Sequence, residues 1–141
     1  MPAEVRWSYD ERGDRMIVGI GTDMIEISRI EQSIVQFGDR FLDRVFTPGE
    51  ISYCRQKKKH SAESFAARFA AKEAAAKALG TGISRGVSWK EIEVQRQPGG
   101  PPTLHLTGRA REIAEQLGIA SLSLSLTHSR DMALAVAIAE K

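Results

Sequence analysis

The run Phe65-Ala66-Ala67-Arg68-Phe69-Ala70-Ala71-Lys72-Glu73-Ala74-Ala75-Ala76-Lys77 restricts the fold more than any other stretch of this chain. Alanine is the strongest helix former, and the run reads as the longest helix, starting at Ser61 and ending at Gly80. Its alanines fall on nearly every face, and a helix so poor in bulk is clamped between neighbours at close range. Two other segments suit that role. Met132 to Ala139 alternates Met132, Leu134, Val136 and Ile138 against Ala133, Ala135, Ala137 and Ala139, so a strand there turns an alanine face to the helix. Met16 to Thr22 is short and apolar with Gly19 and Gly21 interleaved, as in a buried strand approached closely by another backbone.

The remaining elements follow from spacing and punctuation. Ile27, Ile30, Ile34 and Phe37 keep helical intervals until Gly38, and Phe41, Leu42, Val45 and Phe46 suggest a further turn or two. Thr47-Pro48-Gly49-Glu50 has the form of a capping box with proline at the first helical position, opening a helix that runs to about Lys58. Trp89 to Gln95 reads as a strand, Pro98 to Pro102 as a turn, and Thr103 to Leu106 as its hairpin partner. Thr107 is placed to cap a helix carrying Ala110, Ile113, Ala114 and Leu117, which Gly118 ends. Ser121 to Ser129 alternates, with Leu122, Leu124 and Leu126 on one face. The expected class is α+β, a mostly antiparallel sheet packed with the long alanine-rich helix.

Bulk properties exclude several roles. At 141 residues the chain reads as a leader, residues 1–15, and a single domain, residues 16–141. The leader is polar and charged, so it is read as a loosely ordered extension rather than a signal peptide. A net charge of +2 gives no global field for nucleic acid, although Arg55 and Lys57-Lys58-Lys59 form a local basic cluster. No apolar run approaches the roughly 20 residues that span a bilayer. The single Cys54 excludes an internal disulfide, fits a reducing, cytoplasmic setting and reads as a buried thiol.

Asp23 and Glu73 are the acids least like surface charges. Asp23 closes the glycine-bearing strand, and Glu73 continues the row Phe65, Phe69 at four-residue steps, with Lys77 next in line. Two hard oxygen donors beside Arg68 and Lys77 fit a site for Mg²⁺ and phosphate. Plainer readings stand beside this one. Asp23 has the form of an N-cap, and Glu73 and Lys77 the form of a helix-surface ion pair. Gly80-Thr81-Gly82 reads as a glycine C-cap, or as a turn whose amides hold phosphate oxygens. His128, past the leucines of its strand, is either an edge histidine or a phosphate contact. His105 and His60 are read as solvent-facing.

Together, Gly19-Ile20-Gly21-Thr22-Asp23, Glu26-Ile27-Ser28-Arg29-Ile30, Phe46-Thr47-Pro48-Gly49-Glu50 and Arg68 to Gly82 closely resemble the holo-acyl-carrier-protein synthases, the small stand-alone phosphopantetheinyl transferases. Leu126-Thr127-His128-Ser129-Arg130-Asp131-Met132-Ala133 is similar to that family's final hairpin. The resemblance runs from about Met16 onward. It implies the 4′-phosphopantetheinyl transferase fold and transfer of 4′-phosphopantetheine from coenzyme A to a serine of apo acyl carrier protein. Adenosine 3′,5′-bisphosphate is released, Mg²⁺ is required, and the product serves fatty acid biosynthesis. Asp23 and Glu73 match the family's metal-binding acids. Arg68, Lys77, Gly80, Thr81, Gly82 and His128 fall where the family handles the phosphates and adenosine of coenzyme A, and Arg29 matches a position that contacts the acidic carrier. Family members of this size are homotrimers with shared sites. Residue chemistry adds the expectations that Lys77 stabilises the leaving side, that Glu73 takes the serine proton, and that Arg29 and Arg55 steer the carrier. A non-catalytic nucleotide-binding module and a purely structural domain are the competing readings.

Overall fold

The fold is built round one helix that lets other backbones come unusually near it. The computed structural model describes residues 16–141, so the reading of residues 1–15 as a leader falls outside the described residues. In chain order the elements are β1 (Ile17–Glu26), α1 (Ile27–Phe37), α2 (Asp39–Val45), α3 (Pro48–Arg55), α4 (Ser61–Ala78), β2 (Ile92–Arg96), β3 (Pro102–Leu106), α5 (Gly108–Gln116), β4 (Ser121–His128) and β5 (Met132–Glu140). The strands form a three-stranded sheet, β1-β5-β4, and a two-stranded hairpin, β2-β3, every pairing antiparallel.

Helix α4 lies on the three-stranded sheet, and small residues line both sides of the contact. Ala133, Ala135, Ala137 and Ala139 of β5 are wholly buried, as are Ala70, Ala71, Ala74, Ala75 and Ala76 of α4. The register pairs Gly19 with Ala139, Gly21 with Ala137 and Asp23 with Ala135, which puts the glycines and Asp23 on the face that meets α4. A Cβ at Gly21 would stand 2.7 Å from the amide nitrogen of Ala78 and nearer still to the carbonyl oxygen of Ala74. Glycine is required there because helix backbone occupies the space of any side chain. On β1 and β5 the opposite face carries the larger residues. Ile20 and Met24 are 59% and 62% exposed, and the register sets them beside the partly exposed Ile138 and Leu134, with Val136 between.

The second anchor of α4 is ionic. Lys72 is fully buried and its Nζ lies 2.7 Å from Oε1 of Glu50, also buried. The ammonium donates to the carbonyls of Trp89 at 3.1 Å and Ile92 at 2.7 Å. Glu50 closes the expected capping box, since Thr47 N–H donates to its Oε1 and Glu50 N–H donates to Thr47 Oγ1. Its Oε2 accepts from Val94 N–H at 2.8 Å. Burial presses the Lys72 amine below its ordinary pKa, against the upward pull of Glu50. One acid thus ties α3, α4 and β2 together with its hydrogen-bonding capacity filled, the condition under which a buried pair is tolerated.

Several sequence expectations need correction. The first strand runs to Glu26, so Asp23 lies inside it and caps nothing. The amide of Ile27, first in α1, donates instead to the carbonyl of Asp131 at 2.9 Å. Trp89–Glu91 is a 3-10 turn and the strand begins at Ile92. The helix begun at Pro48 ends at Arg55, and Lys58–His60 forms a separate 3-10 turn. Thr107 makes no side-chain cap on α5. Glu91 does so, accepting from the amide of Arg109, and its carboxylate fills the space a Cβ on Gly108 would need. Cys54 is buried as expected, and burial pushes its thiol pKa up to about 12, which removes it as a nucleophile.

Replacing Gly21 with alanine must drive β1 off α4. The expected cost is about 3 kcal/mol or more, read as a lower urea midpoint. A variant as stable as the wild type would show that the close approach is not required.

Candidate active site

Five residues of interest project from two elements that the glycine contact holds together. Asp23 faces α4 from β1, and its side chain is only 18% exposed. Phe65, Phe69, Glu73 and Lys77 form one row along α4, as the four-residue spacing implies. Phe65 is buried in the core, and Phe69 packs on Trp89 with ring centroids 4.7 Å apart. Glu73 and Lys77 carry the row toward solvent.

Lys77 pairs with the strand acid rather than its helix neighbour. Its Nζ donates to the carbonyl of Thr22 at 2.9 Å and to Asp23 Oδ1 at 3.3 Å. The expected helix-surface pairing of Glu73 with Lys77 is therefore replaced by a link from α4 to β1. Glu73 is half-buried, and its pKa is raised first by burial and then by the charge of Asp23, with Lys77 pulling the other way. Two carboxylates thus share a small volume with one ammonium, an arrangement short of positive charge. Among the described residues no cluster of three or more His, Cys, Asp or Glu has metal-binding geometry. Two acids alone do not make an all-protein cage, but they match a cation that takes one or two carboxylates and keeps water and phosphate as its other ligands. The donor set therefore fits Mg²⁺.

Both acids open on a cleft of about 400 Å³ that Arg29, Phe41 and Phe69 also line. The structure therefore brings Arg29 of α1 to the same opening as Asp23 and Glu73. It does not bring Arg55 there. Arg55 is 2.9 Å from Asp39, both side chains mostly exposed, and borders a separate depression beside Ile51.

Arg68 and His128 meet at a second cavity, of about 570 Å³, with Lys57, Arg96, His60 and Tyr53 also on its walls. Glu63 is its acid, 3.3 Å from Nδ1 of His60 and 4.0 Å from Nδ1 of His128. Arg68 is 4% exposed, yet its Nε has no hydrogen-bond partner, and one terminal nitrogen reaches only the Ser64 carbonyl, at 3.5 Å. A buried guanidinium with spare donors, ringed by further cations, has the chemistry to receive an anion. Sequence reasoning found Arg68 and His128 but missed Tyr53 and Arg96, which follow no local pattern. Lys57 belonged to a cluster read as basic surface.

The Gly80-Thr81-Gly82 turn is a helix C-cap, with Gly80 and Gly82 at φ 83° and 64°. Its three amides are already given to α4: Gly80 donates to Lys77, and Thr81 and Gly82 both donate to Ala76. The Thr81 hydroxyl donates to the Gly82 carbonyl at 2.8 Å. The expected phosphate cradle of backbone amides is therefore closed in this conformation. His105 and His60 are exposed, as anticipated.

Both the sequence and the fold have counterparts among known proteins. The sequence model of the 4′-phosphopantetheinyl transferase superfamily matches residues 19–137. A holo-[acyl-carrier-protein] synthase of Koribacter versatilis is 53% identical over 125 residues, which cover 89% of this chain and 99% of that one. The crystal structure of the holo-[acyl-carrier-protein] synthase of Neisseria meningitidis superposes with a TM-score of 0.80 at 41% identity, covering 89% of this chain and all (100%) of that one. That of Helicobacter pylori, solved in complex with coenzyme A, gives a TM-score of 0.76 at 36% identity over 86% of this chain and 99% of that one.

Proposed function

Because this chain belongs to the 4′-phosphopantetheinyl transferase superfamily, as one of its holo-[acyl-carrier-protein] synthases, we propose a Mg²⁺-dependent transfer of 4′-phosphopantetheine from coenzyme A to a serine of apo acyl carrier protein. The products are holo carrier protein and adenosine 3′,5′-bisphosphate. The observation that carries this reading is the meeting of Asp23 and Glu73, from separate elements, at one cleft with Arg29 on its wall. A plain helix-surface ion pair would have left Lys77 with Glu73, whereas Lys77 goes to Asp23.

The chain's own residues supply the steps. Asp23 and Glu73 would hold Mg²⁺, which when bound neutralises charge on the diphosphate. The serine Oγ forms a bond to the phosphorus that carries the pantetheine, and the bond from that phosphorus to the bridging oxygen breaks. The bridging oxygen leaves with the adenosine-side phosphate, and Lys77 stabilises the charge it gains. Glu73, on the wall of the cleft, takes the serine proton. Arg68 and His128, with Lys57 and Arg96, receive the remaining phosphate-bearing end of coenzyme A in the second cavity. Arg29 meets the acidic carrier at the mouth of the cleft. Arg55, held by Asp39, lies outside both sites and adds only to the general basic field.

The apolar sheet face bearing Ile20, Met24, Leu134, Val136 and Ile138 gives the assembly its surface. A contiguous exposed apolar patch marks an interface, and a homotrimer packed through it fits the resemblance of this sequence to trimeric transferases. Among the described residues no helix is long and apolar enough to cross a membrane. A cytoplasmic place in fatty acid biosynthesis completes the reading.

Weighing an apo carrier protein after incubation with coenzyme A and Mg²⁺ tests the reaction. The expected gain is one phosphopantetheine, and an unchanged mass with coenzyme A still bound would reduce the protein to a binding module. Even at saturating Mg²⁺, Glu73→Gln should lower kcat by about a hundredfold or more, because the same carboxylate helps to hold the ion and takes the proton. Full turnover in that variant would remove the proton from Glu73's care. In the ultracentrifuge the protein should sediment as three chains, and Met24→Asp with Val136→Asp should give single chains. A wild-type monomer that turns over at full rate would contradict the assembly.

A further inference from the structure

Arg68 has the weakest visible support of any buried group in the second cavity. A guanidinium withdrawn from water ordinarily spends its donors on carbonyls or carboxylates. Here Nε is unpartnered and one terminal nitrogen makes a bond at the outer limit of length, 3.5 Å. What touches it closely is an aromatic ring: the guanidinium carbon lies 4.0 Å from the centroid of Tyr53. The same ring carries Lys57, whose Nζ is 4.8 Å from the centroid. Burial pushes the Tyr53 phenol up, but Arg68 and Lys57 outweigh it and hold its pKa below the ordinary value, consistent with both cations standing close.

The ring's place is fixed by the helices beneath it. Glu50 and Tyr53 are one turn apart on α3, and Arg68 and Lys72 are one turn apart on α4. Glu50 to Lys72 is therefore one rung between the helices, sealed in the interior at 2.7 Å. Tyr53 to Arg68 is the neighbouring rung, and it opens on the cavity. The inner rung locks the spacing of α3 and α4, and the outer one uses that spacing to hold a ring against a cation.

We propose that Tyr53 is a positioning residue whose ring holds the Arg68 guanidinium and the Lys57 ammonium in the arrangement that receives the phosphate-bearing end of coenzyme A. Like charges on Arg68 and Lys57 repel, and the negative face of an aromatic ring offsets that repulsion before the ligand arrives. The ligand then meets cations already in place and needs to order fewer side chains. The proposal rests on the reading that coenzyme A enters this cavity.

Calorimetric titration of coenzyme A and steady-state kinetics, on variants that keep apolar bulk at position 53, test it. Tyr53→Leu should weaken coenzyme A by about tenfold, with kcat and the KM for carrier protein nearly unchanged and the melting temperature close to wild type. Tyr53→Phe, which keeps the ring and loses only the hydroxyl, should bind nearly as the wild type does. Wild-type binding by Tyr53→Leu, or a Tyr53→Phe as weak as Tyr53→Leu, would overturn the role of the ring. So would a Tyr53→Leu whose kcat, both KM values and melting temperature all worsen together, the mark of a packing role. Arg68→Gln separates the role of the cavity from the role of the ring. If it leaves coenzyme A binding unchanged, the ligand does not use this cavity and the reading of the site fails with the proposal. If it weakens binding while Tyr53→Leu does not, only the role of Tyr53 is lost.

Discussion

The approach of β1 to the bare flank of α4 is the contact on which everything else depends. Gly19 and Gly21 let the strand lie against helix backbone, so a residue two positions further along, Asp23, meets the helix at the level of its acid. The same closeness lets Lys77 reach across to the Thr22 carbonyl and Asp23. Bulk on either element would separate the two carboxylates. The alanines of β5 repeat the requirement one strand over, so β1 and β5 turn their small residues inward and leave Ile20 and Met24 facing out.

That inversion has a functional consequence. β1 and β5 bury glycines and alanines and leave Ile20 and Met24 exposed, and an exposed apolar patch of that kind marks a surface for association. The packing that brings the acids together thus also leaves this apolar face at the surface. Meanwhile α4 separates two kinds of charge. Glu73 faces the acidic cleft and Arg68 the basic cavity. The two are five positions apart on the helix, about 7.5 Å along its axis. A ligand with phosphates at two points along its length suits such a spacing.

Much of this was legible in the sequence, and the parts that were not share a cause. Thr47 and Glu50 announce a capping box, and both of its hydrogen bonds form. The alternation of Met132 to Ala139 and the glycine-bearing strand correctly indicate what packs on α4. Local spacing could not reveal the second use of Glu50, whose partner Lys72 is twenty-two positions away and looks like any lysine in a charged helix. Nor could it show that Glu91 caps α5, displacing Thr107, or that Asp131 supplies the acceptor for α1, displacing Asp23. Lys77 was read with Glu73 because helical spacing sees only neighbours on the same helix. Tyr53 and Arg96 carry no local signature, since cavities are assembled by tertiary contact. The Gly80-Thr81-Gly82 turn suggested a phosphate nest, but a helix C-terminus has its own claim on those amides.

Counting divalent ions addresses the core of this account. Electron paramagnetic resonance of Mn²⁺, standing in for Mg²⁺ and titrated into the protein with coenzyme A present, should report one bound ion per chain. Asp23→Asn and Glu73→Gln should each lose that ion while remaining folded. If either variant holds Mn²⁺ as firmly as the wild type, the two acids do not share an ion and the site has been wrongly built.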